Sequence, residues 1–118
     1  AYGFNFKSTM DMDIGLKYQA INQGKIDAMV IFTTDGQLAV SDVKVLTDDK
    51  GFYPSYLCGN VIRNEVLEKH PELKDIFNEL SGTITDADMA QMNYEVESKG
   101  KEPRDVAEKF LEKTGLLK

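Results

Sequence analysis

The pattern of hydrophobic and polar residues is mostly strand-like before about residue 63, with one helical segment, and is helical after it. Before that point, residues 4–8 and 38–46 alternate with a period of two, which predicts short strands with one exposed face. Residues 26–32 are almost continuously apolar, as in a strand that is buried on both faces of a parallel or mixed sheet. Residues 57–62 are a further short strand candidate.

A helix is predicted between the first two strands, over residues 14–23. Ile14, Tyr18 and Ile21 recur at the spacing of one helix face, Asp13 supplies an N-cap, and Gly24 supplies a left-handed C′ residue. Strand, helix and strand joined by tight connections indicate an α/β layer and argue against a helical bundle.

Four helices are predicted after residue 63. The first, capped by Asn64, ends before Pro71, which opens the second over residues 71–80. Thr85 and Asp88 resemble a capping box for a third helix that runs to about residue 96. The last begins at Pro103 and ends at a C-terminal glycine, Gly115.

A polar break follows the buried strand 26–32. Thr33, Thr34 and Asp35 supply two hydroxyls and a carboxylate at the carboxyl end of a strand, where open α/β sheets place ligands. Phe32 ends the strand, and Tyr56 ends an aromatic segment that proline excludes from a central strand. Two facing rings of this kind attract a large, poorly hydrated cation such as a quaternary ammonium.

Composition narrows the classes of function. The 118 residues suffice for one domain, or for a piece of something larger, and the net charge of −6 argues against a nucleic-acid partner. Cys58 is the only cysteine, so an internal disulfide is impossible, and its place in an apolar strand predicts a buried thiol. We find neither a membrane span nor a signal peptide. The start without methionine suggests a segment of a longer protein.

Catalytic and metal-binding motifs are missing from the sequence. His70, the only histidine, lies at a helix junction and is interpreted as a cap or surface residue. The paired aspartates lack the spacing of a calcium loop, and we find neither a phosphate-binding glycine loop nor a nucleophile elbow. We therefore predict a protein that is not an enzyme and that has no metal and no cofactor.

Five stretches together carry a family resemblance that runs in order over essentially the whole chain. The sequence resembles the C-terminal part of the osmoprotectant-binding proteins of ABC transporters, those for glycine betaine, choline and carnitine. The stretches are YGFNF, MDMDIGLKYQAINQGKIDAMVIFTTDGQL, VLTDDKGFYPSY, VLEKHPELKDIFNELSGTIT and MNYEVESKGKEPRDVAEKFLEKTGL.

The resemblance implies part of a two-lobed periplasmic-binding-protein fold of cluster II, with mixed sheet strands and C-terminal helices. Residues 1–35 would end the second lobe, and residues 36–118 would return to the first. Phe32 and Tyr56 match two rings of an aromatic box, although a tyrosine is expected where Phe32 stands. Thr33, Thr34 and Asp35 would shape the wall of the site and only secondarily contact the ligand.

The resemblance also implies partners. These are a small quaternary ammonium ligand, an ABC permease subunit and a missing N-terminal half of the same protein; the isolated piece could form a homo-oligomer or intertwined dimer. The implied location is extracytoplasmic and membrane-associated, at the cell surface or in the periplasm, as a lipoprotein or a permease fusion. The alternative, from the residues alone, is a stand-alone α/β interaction or regulatory domain without a small ligand.

Overall fold

A computed structural model describes residues 2–53 and 57–117. The chain divides into two compact units, the first formed by Ala1–Val30 and Val40–Cys58 and the second by Ile31–Ala39 and Gly59–Lys118. Within the described ranges, no helix is long and apolar enough to cross a membrane.

The first unit contains the predicted N-terminal helix. It begins as a 3-10 helix, Ile14–Leu16, and continues as α1, Lys17–Asn22. The Asp13 carboxylate accepts a hydrogen bond of 2.8 Å from the backbone N–H of Gly15, which confirms the predicted N-cap. Tyr18 on α1 is only 3% exposed and is the most buried hydrophobic residue among those described in this unit.

The second unit contains the four predicted C-terminal helices and all but the last residue of a 3-10 helix, Gly36–Val40. The four helices are α2 (Asn64–Lys69), α3 (Leu73–Glu79), α4 (Asp86–Glu97) and α5 (Pro103–Thr114). The predicted ends of the first two shift slightly, because Asn64 is already helical and α3 starts two residues after Pro71.

Local signals fix the ends of α4 and α5 as predicted. The Thr85 hydroxyl accepts from the backbone N–H of Asp88, the Asp88 carboxylate accepts from the backbone N–H of Thr85, and the capping box is complete. The Thr85 hydroxyl, which donates to the Asp88 carboxylate, and the Thr85 backbone N–H together hold the pKa of Asp88 below its ordinary value. Pro103 opens α5, and Gly115 ends it in the left-handed region at φ 77°.

Helices α4 and α5 pack against each other and bury Val106, which is 7% exposed. An apolar groove of about 320 Å³ remains along this helix pair. The side chains that line the groove include those of Met89, Met92, Val96, Phe110 and Leu111.

An ion pair joins the end of α4 to the connecting loop. Lys101 in this loop donates a 2.6 Å hydrogen bond to the Glu95 carboxylate, and this bond holds the pKa of Glu95 below its ordinary value.

The predicted strands are wrong for this structure: residues 4–8, 26–32, 38–46 and 57–62 form no strand, nor does any other residue of 2–53 or 57–117. A strand needs a neighbour that accepts and donates its backbone hydrogen bonds, and no described segment pairs with residues 26–32. Their apolar side chains also lack a covering layer, since Val30 is 64% exposed. The beginning of the predicted strand 38–46 instead belongs to the 3-10 helix Gly36–Val40.

The predicted burial of Cys58 is also wrong, because its thiol is exposed. The residue was expected to be buried as part of the apolar strand 57–62, and that strand does not form. Val61 in the same stretch is fully exposed. Burial in this stretch depends on sheet formation, so both expectations fail for one reason.

Candidate functional site

The polar break predicted as a binding edge is a tight turn over residues 32–35, within the second unit. The backbone N–H of Asp35 donates to the carbonyl oxygen of Phe32 at 3.0 Å. In return, the backbone N–H of Phe32 donates to the Asp35 carboxylate at 3.1 Å. The two ends of the turn therefore hold each other, as side chains of aspartate commonly do in turns. We refer to residues 32–35 as the Phe32 turn.

Helix α4 supports the Phe32 turn from a distant part of the sequence. The side-chain amide of Asn93 donates a hydrogen bond of 2.8 Å to the backbone carbonyl oxygen of Thr34, across 59 positions of sequence. Both residues are half-buried. A carbonyl oxygen that packing shields from water needs a hydrogen-bond donor, and Asn93 is the donor for the Thr34 carbonyl.

Gly36, which follows the turn, touches the backbone of α4. A Cβ atom at this glycine would lie 2.5 Å from the carbonyl carbon of Asn93 and 2.5 Å from the backbone nitrogen of Tyr94. Real side chains do not approach backbone atoms so closely, and Gly36 is itself buried. Glycine is therefore required here to let the chain lie against the helix.

The first residue of α4 makes a third link. The Thr33 hydroxyl donates to the Asp86 carboxylate at 3.2 Å, on the exposed side of the turn. Asp86 and Asn93 are seven positions apart, so they lie on the same face of α4, about 10 Å apart along its axis. Residues 33–36 consequently follow one face of the helix over its first two turns.

The Phe32 ring is the one side chain of residues 32–35 that is apolar. The Thr33 hydroxyl, the Thr34 carbonyl and the Asp35 carboxylate all take part in holding the turn. Phe32 is 38% exposed. The face of an aromatic ring can bind a diffuse cation or an apolar group.

The structure brings together four of the five predicted site residues: Phe32, Thr33, Thr34 and Asp35 lie in one turn. Tyr56, the fifth, lies outside the described residues, as do Pro54 and Ser55. The predicted pairing of the Phe32 and Tyr56 rings stays a prediction.

The segment before Tyr56 is held by a second hydrogen-bonded cluster, in the first unit. The Asp48 carboxylate accepts from the Tyr2 hydroxyl and, at 2.9 Å, from the backbone N–H of Tyr53. The same hydroxyl accepts from the backbone N–H of Lys50 at 2.8 Å. Desolvation and the hydrogen bond to Asp48 raise the pKa of Tyr2 to about 12, while the hydrogen bond from Tyr2 lowers the pKa of Asp48.

The single histidine of the sequence stands at the end of a helix. His70 is the C-terminal cap residue of α2 and is exposed; its Nδ1 lies 3.2 Å from a carboxylate oxygen of Glu72. Across residues 2–53 and 57–117, no three histidine, cysteine or acidic side chains are grouped to hold a metal ion.

Sequence reasoning missed the supporting residues Asn93 and Asp86. One signal for Asn93 was available, because it falls between Met89 and Val96 at helical spacing, on the side that faces inward. Asparagine is a poor residue for a helix interior, costing roughly 0.5 kcal/mol or more relative to alanine, so an inward-facing one calls for a hydrogen-bond partner. Which carbonyl it binds cannot be read from the sequence.

Comparison with known proteins gives a family match. Residues 1–113 match the family described as "Substrate binding domain of ABC-type glycine betaine transport system". Two relatives are the ergothioneine transport permease/ergothioneine binding protein EgtU of Helicobacter pylori, 47% identical over 98% of this chain, and the carnitine transport binding protein OpuCC of Listeria monocytogenes, 42% identical over 99%. The glycine-betaine-binding protein of Pseudomonas aeruginosa is 35% identical over 98% of the chain.

A solved structure has the same fold over most of the chain. It is described as the crystal structure of a glycine betaine/carnitine/choline ABC transporter, and the superposition has a TM-score of 0.73 with 49% identity over 95% of this chain. The chain spans 41% of that structure, 38% of the carnitine- and glycine-betaine-binding relatives and 21% of the ergothioneine relative.

These matches confirm the family resemblance that the sequence motifs predicted. They also agree with the prediction of a protein that is not an enzyme, since the family is described by substrate binding. The chain belongs to the family of substrate-binding domains of ABC-type glycine betaine transport systems.

Proposed function

We propose that this chain is part of the extracytoplasmic solute-binding component of an ABC importer for quaternary ammonium osmoprotectants. Membership of the family carries the proposal, and the half-exposed Phe32 ring on an anchored turn supports it. The ligand class is glycine betaine, choline and carnitine, held in an aromatic box to which Phe32 and Tyr56 contribute rings. Thr33, Thr34 and Asp35 form the wall beside the first ring.

The proposal extends to the whole protein. Residues 1–35 end one lobe and residues 36–118 return to the other, in a two-lobed fold completed by an N-terminal half. The assembled protein delivers its ligand to an ABC permease at the outer face of the membrane, to which it is attached as a lipoprotein or by fusion. The lengths of the relatives support this extension, because the chain spans only 21 to 38% of them.

Ergothioneine is a second candidate ligand. The relative named as an ergothioneine binding protein is 47% identical to this chain, against 42% for the carnitine-binding relative. Ergothioneine carries a trimethylammonium group, as glycine betaine, carnitine and choline do. An aromatic box recognises that shared group through the ring faces, so the rest of the site must distinguish the ligands.

Isothermal titration calorimetry of the complete binding protein that contains this chain tests the proposal. We expect micromolar or tighter binding of at least one of glycine betaine, choline, carnitine and ergothioneine. Absence of heat with all four compounds would overturn the assignment.

The same measurement on three variants tests the predicted ring residues. We expect Phe32→Ala and Tyr56→Ala each to weaken binding by roughly 2- to 30-fold, the range that corresponds to one cation–π contact. Ile76→Ala, which truncates an exposed apolar side chain on α3, is the control and should bind as the wild type does. Unchanged affinity in either ring variant would remove that residue from the site.

A further inference from the structure

Asn93 connects helix α4 to the Phe32 turn at a single backbone atom, the carbonyl oxygen of Thr34. The 2.8 Å hydrogen bond is the shortest of the described links between the helix and the turn, and both of its residues are half-buried. The Thr33–Asp86 bond is longer, at 3.2 Å, and lies on the exposed side. Water competes more effectively for an exposed bond, so the Asn93 bond is the stronger constraint.

The internal bonding of the turn transmits that constraint. Thr34 lies inside a loop that is closed by two hydrogen bonds between Phe32 and Asp35. Because both ends of the loop are joined, holding the Thr34 carbonyl restricts the orientation of the whole turn relative to α4. The Cα–Cβ bond of Phe32, which sets the direction of the ring, is part of that unit.

Gly36 restricts the movement of the chain immediately after the Phe32 turn. Its backbone lies against the backbone of Asn93 and Tyr94, so the chain cannot slide toward the helix. Asn93 therefore contacts this segment with both its side chain, at Thr34, and its backbone, at Gly36. No other described side-chain hydrogen bond reaches the turn from so central a position on a helix.

We propose that Asn93 is a positioning residue of the solute site, which orients the Phe32 ring through the Thr34 carbonyl without contacting the ligand. This inference rests on the proposed function, because it assigns a role in the same site. It predicts that affinity depends on the donor ability of residue 93, and that the dependence acts through the Phe32 ring.

Asn93→Asp is the sharpest test of the donor. The two side chains have nearly the same shape, but an ionised carboxylate has no N–H to donate and its oxygens repel the Thr34 carbonyl. In calorimetry of the complete binding protein, with whichever of the four compounds the wild type binds, we expect Asn93→Asp to lower affinity by about five- to tenfold. Asn93→Ala, which also lacks the donor, should lower affinity in the same direction and serves if Asn93→Asp does not fold.

Gln91→Ala is the matched control. Gln91 lies on the same helix, is exposed, and donates to the Glu95 carboxylate at 3.2 Å, away from the turn. Its removal also deletes one hydrogen bond of an amide side chain from α4, and we expect affinity to remain at the wild-type value. All titrations are made well below the unfolding temperature of each variant, so that only folded protein is compared.

A double-mutant cycle distinguishes positioning from general support of the fold. If residue 93 acts through the ring, Asn93→Asp should have little effect on affinity in a Phe32→Ala background. The proposal would be overturned if the fold-losses in affinity of Asn93→Asp and Phe32→Ala multiply in the double variant, because the two residues would then act independently. Wild-type affinity in both Asn93 variants would also overturn it. Either result leaves the proposed function standing if the wild type binds. A wild type that binds none of the four compounds overturns the proposed function and this inference with it.

Discussion

The Tyr2 hydroxyl donates a hydrogen bond to the Asp48 carboxylate and so joins two residues that are 46 positions apart. The same hydroxyl accepts from the backbone N–H of Lys50, and the Lys50 ammonium lies 5.0 Å from the centre of the Tyr2 ring. One aromatic side chain near the start of the chain thus holds the loop that leads into the aromatic segment of Tyr56.

We predict that this cluster makes stability depend on alkaline pH. The pKa of Tyr2 rises from an ordinary value of 10.0 to about 12 on folding. The contribution of the Tyr2 hydroxyl to the free energy of unfolding is therefore complete below pH 10.0 and is lost as the pH rises through about 12. Denaturant unfolding at a series of pH values should therefore show a steeper fall between these limits in the wild type than in Tyr2→Phe. Tyr53→Phe is the control, since Tyr53 contributes its backbone N–H to Asp48.

Amide hydrogen exchange gives an independent measurement on the same variant. Tyr2→Phe removes the oxygen that accepts from the Lys50 N–H, and we expect faster exchange at that amide. The Tyr53 N–H, which is bonded to Asp48, should change less. Parallel unfolding curves for wild type and Tyr2→Phe across the alkaline range, with unchanged exchange at Lys50, would contradict the role given to Tyr2.

Gly36→Ala should destabilise the second unit. The new Cβ would lie 2.5 Å from two backbone atoms of α4, so either the helix or the turn must move. We expect a loss of about 1–3 kcal/mol in the free energy of unfolding, the usual range for overpacking. Gly59→Ala is the matched control, because a Cβ there meets no atom within 4 Å. Equal stability of the two variants would show that the close approach is not retained in solution.

Thr85→Ala should weaken the start of α4. The substitution removes the hydroxyl that accepts from the Asp88 N–H, and loss of an N-cap typically costs about 0.5–2 kcal/mol. Urea unfolding at neutral pH measures the loss, with Glu97→Ala at the exposed end of the same helix as the control. A difference within experimental error between Thr85→Ala and the control would argue against the cap.

The capping box also predicts a dependence on acidic pH. The hydrogen bonds that the Asp88 carboxylate accepts from Thr85 lower the pKa of Asp88 below its ordinary value of 3.8. The contribution of this carboxylate to the free energy of unfolding is therefore complete above pH 3.8 and is lost as the pH falls through the lowered pKa. The stability difference between wild type and Asp88→Asn should thus be largest above pH 3.8 and should shrink on further acidification. A difference that stays constant with pH would contradict the assigned charge on Asp88.

Phe32→Leu and Phe32→Tyr separate ring chemistry from apolar volume in the proposed site. Leucine keeps an apolar side chain but has no ring face, so we expect a loss of roughly 2- to 30-fold in affinity for a quaternary ammonium ligand. Tyrosine keeps the face and adds a hydroxyl, so the affinity for the same ligand should remain close to that of the wild type. Equal affinities for the leucine and tyrosine variants, measured by calorimetry, would mean that the ring face is not used.

The sequence predicted the helices of this chain well because their ends are fixed by neighbours along the chain. Asp13 bonds to Gly15, Thr85 bonds to Asp88, and Pro103 stands at the first position of its own helix. The strands failed because a strand is stabilised by a partner and a covering layer, neither of which a local pattern supplies.

The candidate site divides in the same way. The sequence by itself determined the family and the position of the polar break at Thr33, Thr34 and Asp35. The bond between Phe32 and Asp35 is local along the chain, although the sequence predicted a strand that ends at Phe32. Only the tertiary structure decided that α4 supports the turn, through a bond between Thr34 and Asn93 and through the fit of Gly36 against the helix. Those contacts join residues more than fifty positions apart, and their geometry is set by how the chain packs.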